Sequence, residues 1–177
     1  MSPMSAAALA SVLSFLMFAI IAALYVAPWL AARQRAEALT PLLWIHAFRY
    51  VALQIYSAQQ FGFAVSDAAR DQIADGDVIA AILAVISILA LHYRVRMAPV
   101  LVWLFVAEAT LDLVNATIAG VREQLFATAS GVTWLILTFY VQLLWVSLGL
   151  IVWQLYSRRL EPLALVTRKP GFNPTDA

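Results

Sequence analysis

Residues 98–120 read APVLVWLFVAEATLDLVNATIAG, and this stretch decides the fold. Its only ionisable side chains are Glu108 and Asp112. A helix that crosses a bilayer needs about 20 mainly apolar residues at a rise of 1.5 Å each. The apolar run is continuous rather than alternating, which favours a helix over a strand, because a helix satisfies its own backbone hydrogen bonds in lipid. The stretch therefore predicts a transmembrane helix that carries two carboxyl groups.

The composition of the whole chain agrees with this prediction. Of the 177 residues, 64% are hydrophobic and 12% are charged, whereas soluble domains have about 45–50% apolar and about 25% charged residues. These values exclude a soluble enzyme, a nucleic-acid-binding domain and a disordered chain. The chain has no cysteine and two histidines, so thiolate metal sites and a three-histidine site are excluded. We expect no metal and no cofactor. A bis-histidine haem between His46 and His92 is the less favoured alternative.

Four further apolar stretches resemble the first in length. We predict an all-α, polytopic bundle with five spans at about 6–31, 41–65, 77–93, 98–120 and 131–156. Residues 1–159 would form one transmembrane domain, and residues 160–177 a flexible cytoplasmic tail. Thr40 and Pro41 are typical of a helix start. No proline falls in the middle of a predicted span, so we expect no strongly broken helices of the transporter kind.

The basic residues of the predicted loops predict the orientation. Eight of them fall on one side of the membrane: Arg33, Arg35, Arg94, Arg96, Arg158, Arg159, Arg168 and Lys169. The other side has Arg70 and Arg122 and an acidic loop over residues 66–77. Basic loops stay cytoplasmic, so we expect the N-terminus outside and the C-terminus inside. The first span lacks a preceding basic segment, so we expect it to remain uncleaved. We predict a multi-pass protein of the plasma (inner) membrane.

Three ionisable residues fall inside predicted spans. Arg49 lies in the second span, and Glu108 and Asp112 lie in the fourth. Each costs about 2.5–3.5 kcal/mol at the centre of a membrane helix, so we expect all three to face the bundle interior and to be paired. Counted from the predicted inner ends, Arg49 is about 12–13 Å deep and Glu108 about 15 Å deep. We therefore expect an ion pair between Arg49 and Glu108, with Asp112 as the competing acceptor.

Further polar residues extend this set into a candidate site for a ligand or for protons. Glu108, Asp112 and Asn115 follow the spacing i, i+4, i+7 of one helix face. The other candidates are His46, Arg49, Tyr50 and Gln54 in the second span, and Gln142 and Trp145 in the fifth. The third span has Ser87 as its only polar residue between 78 and 91, so we expect it to face lipid or a partner. These residues predict a polar cavity between spans two, four and five. A closed ion-pair network that fixes helix register is the alternative.

Three functions are compatible with such a cavity. The first is binding or transport of a small polar or amphipathic ligand, with proton coupling through Glu108 and Asp112. The second is an acid–base enzyme that acts on a lipid or isoprenoid-like substrate. The third is an accessory subunit of a larger membrane complex. The expected partners are the lipid bilayer, a small-molecule or lipid ligand, and a second copy or another membrane subunit. No nucleic acid is expected.

Overall fold

The computed structural model describes residues 1–161, and within these residues the secondary structure is entirely helical. The predicted tail, residues 160–177, falls almost wholly outside the described part. The elements, numbered in chain order, are α1 (Pro3–Ala31), α2 (Arg35–Ala47), a 3-10 segment (Phe48–Leu53), α3 (Gln54–Gln60), α4 (Asp67–His92), α5 (Ala98–Arg122), α6 (Leu125–Thr128) and α7 (Gly131–Ser157). Helices α1 and α7 each contain a short π-helical segment, at Ala22–Val26 and Ile136–Tyr140.

Four of these helices, α1, α4, α5 and α7, are long and apolar enough to cross a membrane. The all-helical class is thereby confirmed over the described residues, and the four helices are compatible with an integral membrane protein. The total of five spans, the orientation and the identity of the membrane remain predictions. The second predicted span is the one that does not form a single long apolar helix.

The structure corrects the start of the predicted second span. The helix begins at Arg35 rather than at Pro41, which lies inside α2. The added turn is held by the Arg35 guanidinium, which donates to the backbone carbonyls of Leu155 and Glu161 at 2.7 and 3.0 Å. The winding also changes from α to 3-10 at Phe48–Leu53 within a helical run that is continuous from Arg35 to Gln60. The tighter winding changes the direction of the side chains that follow.

Helix α4 begins ten residues earlier than predicted, at Asp67, where the Ser66 hydroxyl caps it. The acidic segment 66–77 is thus largely helical, and Asp77 belongs to the helix rather than to a loop. One face of this helix is apolar and exposed, through Ile79, Ile82, Ile86 and Leu89, which agrees with the expectation that the span faces lipid or a partner, and its other face is packed inside the bundle. Helix α4 packs against α2, the 3-10 segment and α5. Small buried residues on α4 allow this close approach: Ala74, Ala80, Ala81, Ala84 and Ala90.

Helix α1 is packed much less extensively than α4. It lies along α7 and α6. In its most apolar stretch of 18 residues 11% is buried, compared with 39% in the corresponding stretch of α4. Its remaining surface is apolar and exposed, as expected for a helix that lies in lipid. The functional side chains therefore lie in the part of the bundle formed by α2 to α7.

One end of the bundle is rich in arginine, and we call it the arginine end. The C-terminus of α1, the N-terminus of α2 and the C-terminus of α7 meet there. Arg158 donates to the carbonyls of Leu30 and Arg33 at 3.3 and 2.7 Å. These bonds cap the exposed carbonyls at the end of α1 and join it to α7.

Candidate functional site

A buried arginine joins three elements at the centre of the bundle. The 3-10 segment carries Arg49, whose side chain is fully buried. Its Nε donates to Asp77 Oδ1 of α4 at 2.6 Å, and its Nη2 donates to Asp112 Oδ2 of α5. A charge at this depth is tolerated only when it is paired. We call these three residues the Arg49 cluster.

A glycine makes the Arg49 cluster possible. Gly76 precedes Asp77 on α4, and a methyl group built on it would overlap the Asp112 carboxyl group, with the carboxyl carbon Cγ 2.6 Å away. The Asp112 side chain therefore occupies the space that any other residue would need at position 76. This contact holds Asp112 beside the α4 backbone, where its carboxylate meets Arg49.

His46 forms a separate polar contact one turn before Arg49. Its side chain is completely buried, and its Nε2 lies 2.9 Å from the Ser147 hydroxyl of α7. The ring also packs edge-on against Phe105 of α5, with centroids 5.1 Å apart. His46 thus links α2, α5 and α7 in the core. His92 is exposed at the end of α4, so the two histidines are not brought to one cavity.

A cavity of about 170 Å³ lies beside the Arg49 cluster. The 3-10 segment and the helices α3, α4, α5, α6 and α7 surround it. Its polar lining residues are Arg49, Gln54, Asp77, Thr117, Thr133, Tyr140 and Gln142. Its aromatic lining residues are Phe63, Phe126, Tyr140 and Trp145. Most of the remaining wall is aliphatic. The cavity is therefore amphipathic, with a charged group in an otherwise mainly apolar wall.

The π segment of α7 shapes one wall of this cavity. Ile136, Leu137 and Tyr140 of that segment all line it. The widened turn leaves room for a side-chain contact to its backbone: Gln142 Nε2 approaches the Leu137 carbonyl at 3.3 Å. Single π turns within helices occur frequently at functional sites.

Tyr140 connects this wall to the helix that precedes Arg49. Its hydroxyl donates to the Ile45 carbonyl at 2.8 Å, close to the point where α winding changes to 3-10. We expect Tyr140→Phe to lower the free energy of unfolding by about 1 kcal/mol, because the partly buried carbonyl loses its donor. Thermal unfolding in detergent measures this loss. Tyr50→Phe is the matched control, since Tyr50 is 51% exposed. An equal effect of both changes would contradict the assigned contact.

The predicted site residues divide into three groups. Those that line the cavity are Arg49, Gln54, Gln142 and Trp145. Those that are partly or fully buried outside its wall are His46, Glu108 and Asp112. Those that lie on the exposed surface are Tyr50 and Asn115. Gln54 accepts from the Thr133 hydroxyl at 3.2 Å.

Two details of the sequence-based prediction are wrong. Arg49 pairs with Asp112 and Asp77, and no ion pair with Glu108 forms within the described residues. Glu108 instead lies one turn away from Asp112 on α5, with one carboxyl oxygen buried and without a hydrogen-bond partner in residues 1–161. Asn115 does not share the buried face of Asp112. It lies three residues after Asp112 on α5, and its side chain is exposed.

Three contributors to the site were missed. Asp77 was assigned to a solvated acidic loop, although its position is preceded by a glycine that admits a close helix contact. Neither Tyr140 nor Ser147 was predicted to belong to the site. Arg49 itself points to a further partner. One carboxylate cannot accept from all the donors of a guanidinium, so a second carboxylate is expected nearby.

Comparison with known proteins gives one similarity. A family model described as Domain of unknown function (DUF8737) matches residues 6–156. No curated protein and no solved structure shows significant similarity to the chain. The matched range includes the Arg49 cluster and every residue that lines the cavity. Within residues 1–161, no group of three or more histidine, aspartate or glutamate side chains is arranged to hold a metal ion.

Proposed function

Because the chain belongs to this DUF8737 family, whose description names no activity, we propose from the cavity alone that it binds a small, electrically neutral amphipathic molecule. The polar group of that molecule would accept a hydrogen bond from Arg49. Its apolar part would lie among the aromatic and aliphatic residues of the cavity. Such a division of polar and apolar wall is typical of small-molecule sites.

The observation that carries this proposal is the unused donor of Arg49. Its Nε and Nη2 atoms donate to Asp77 and Asp112, whereas its Nη1 is buried without a partner among residues 1–161. Leaving such a donor unsatisfied costs about 1–3 kcal/mol or more. Since Arg49 also lines the cavity, a hydroxyl or carbonyl oxygen of a ligand would remove this cost.

Charge favours a neutral polar group over a charged one. An anionic group at Arg49 would add a third negative charge beside Asp77 and Asp112. A cationic group would lie against a guanidinium. The first arrangement raises the net negative charge in a region of low dielectric constant, which is costly, and the second offers no acceptor to the unused donor of Arg49. A neutral acceptor satisfies the donor without changing the charge of the cluster.

The size of the cavity limits what it encloses. About 150 Å³ of apolar space holds a molecule the size of benzene, so about 170 Å³ accommodates the polar group with a ring or a short chain. Thr117 lines the cavity and is exposed on α5. A longer apolar tail would therefore leave the cavity beside Thr117 and enter the bilayer.

Proton-coupled transport of the same ligand is the extended form of the proposal. Asp77, Asp112 and Glu108 are three carboxyl groups close along α4 and α5, with one guanidinium among them. A proton can neutralise the surplus carboxylate when the ligand enters or leaves. With so few spans, transport would require an oligomer. An acid–base enzyme has less support, because His46 is bonded to Ser147 and does not line the cavity.

The test is a comparison of the small molecules retained by the purified full-length protein. Ala116 lines the cavity on α5, and Ala116→Leu fills part of it. We expect the wild type to retain a neutral lipid-like molecule through gentle detergent purification, and Ala116→Leu to retain about tenfold less, because overpacking costs about 1–3 kcal/mol. Mass spectrometry of the organic extract measures the retained amount.

Ala107→Leu provides the matched control for this experiment. It adds the same side chain to the same helix, but Ala107 is exposed and does not line the cavity. The control is expected to retain the molecule as the wild type does. Equal retention by all three proteins, retention of nothing, or a ligand with a permanent charge would each contradict the proposal.

A further inference from the structure

A second concave surface lies at the arginine end, far along the bundle from the cavity. It is a groove of about 390 Å³ between the start of α2, the start of α5 and the end of α7. The residues that line it are Arg35, Pro99, Trp103, Leu155, Tyr156, Arg159 and Glu161. Two cationic side chains and two large aromatic side chains thus face one groove. We call it the end groove.

Arg35 is the buried cation of the end groove. It is 7% exposed, and its Nη1 and Nη2 donate to neutral backbone carbonyls. Its Nε is buried without a hydrogen-bond partner in the described residues. No carboxylate of residues 1–161 forms a salt bridge with it. Arg35 therefore brings a positive charge and an unused donor to the groove.

Arg159 is the exposed cation of the end groove. Its guanidinium lies over the Tyr156 ring, 5.7 Å from the centroid, and within the described chain it forms no salt bridge. A cation over an aromatic face keeps its charge while its stem stays ordered. Arg159 is therefore positioned to reach an anion at the mouth of the groove.

Glu161 compensates the charge of these arginines only in part: it attracts Arg35 electrostatically, but it is hydrogen-bonded to Arg158. Its carboxylate accepts hydrogen bonds from Arg158 Nε and Nη2 at 2.8 and 2.5 Å. This pairing with Arg158 holds the pKa of Glu161 below its ordinary value. One carboxylate is thus bound to a third arginine, and a positive charge remains on the groove.

The surroundings of the groove indicate where the anion comes from. Trp103 is 46% exposed and Tyr156 is 70% exposed on either side of it. Large aromatic residues at the ends of membrane helices lie at the level of the lipid headgroups. Pro99 and Leu155 supply an apolar floor against which acyl chains can pack. A phosphate held by Arg35 and Arg159 would lie at this boundary.

We propose that the end groove binds the phosphate group of an anionic phospholipid through Arg35 and Arg159. The aromatic side chains of Trp103 and Tyr156 flank the lipid. The site is independent of the cavity beside Arg49, so it stands whether or not that cavity binds a ligand. The bound lipid joins the ends of α2, α5 and α7 from outside.

Native mass spectrometry of the full chain, titrated with phosphatidylglycerol or phosphatidylcholine, tests this site. We expect phosphatidylglycerol to bind preferentially. Arg159→Gln should weaken its binding about fivefold, because each basic residue near a lipid surface contributes about 1 kcal/mol. Arg159 is exposed, so this variant keeps the fold. Arg35→Lys retains the charge but loses the planar donor geometry, and it should weaken binding as well.

Arg96→Gln is the matched control, since it removes one exposed arginine from the same end without lining the groove. We expect its affinity for phosphatidylglycerol to stay within twofold of the wild type. Equal losses for Arg96→Gln and Arg159→Gln would overturn the proposal in favour of general surface attraction. Unchanged binding by both groove variants would overturn it too. Displacement of the lipid by millimolar inorganic phosphate would reassign the groove to free phosphate.

Discussion

Arg49→Met is expected to lower the free energy of unfolding by about 3–5 kcal/mol, because it leaves Asp77 and Asp112 buried without their counter-charge. Among changes in this chain it should have the largest effect. The four helices that are long and apolar enough to cross a membrane are untouched, so the protein should still be found in membranes. Thermal unfolding of the detergent-solubilised protein, followed by tryptophan fluorescence, measures the loss. The cavity ligand should be lost together with stability.

A triple variant separates the two roles of Arg49. Arg49→Met combined with Asp77→Asn and Asp112→Asn removes the charges together, and most of the stability should return. Ligand retention should not return, because the Nη1 donor is still absent. A stability change below about 0.5 kcal/mol for Arg49→Met would show that the cluster is not buried as described. Ligand retention restored by the triple variant would refute the role of Nη1.

Gly76→Ala is expected to lower the free energy of unfolding by about 2–3 kcal/mol. This effect is large for one added methyl group. That methyl would occupy the position of the Asp112 carboxyl group. Asp112 cannot move far, since its other oxygen accepts from Arg49. Either α4 and α5 separate or the ion pair breaks, and both are costly. The same unfolding measurement applies.

Gly149→Ala is the control for this substitution. Gly149 lies in α7, and nothing is within 4 Å of a methyl group built on it. Stability should be unchanged or higher by up to about 1 kcal/mol, because alanine favours helix. Adding Asp112→Ala to Gly76→Ala should give less than the sum of the two single effects. Strict additivity would show that the methyl and the carboxyl group do not compete for one space.

The helical class and the burial and pairing of Arg49 and Asp112 could be predicted from sequence, because continuous apolar runs and buried charges leave few physical solutions. The choice of partner could not. Asp112 lies about 6 Å further along α5 than Glu108, and an arginine side chain reaches either. Gly76 decides between them, because it lets the α4 backbone approach Asp112.

The neighbours of Asp77 explain why composition alone allows a loop at this position. Asp67, Asp71 and Asp75 follow the spacing i, i+4, i+8 and share one helix face, and Arg70 pairs with two of them. Asp77 lies about 200° around the helix from Asp75, on the face that meets Arg49. The amino-acid composition of this segment fits a loop as well as it fits a helix. Only the helical periodicity separates the inward carboxylate from the outward ones.

The Arg49 cluster also has a consequence for biosynthesis. A ribosome delivers Arg49 to the membrane before either partner exists, since Asp77 follows 28 residues later and Asp112 63 residues later. Until then the segment from Arg35 to Gln60 has an uncompensated charge, and it is not among the four helices that are apolar enough to cross by themselves. The Arg49 cluster can therefore form only after α4 and α5 have been translated, so the centre of the bundle is completed late.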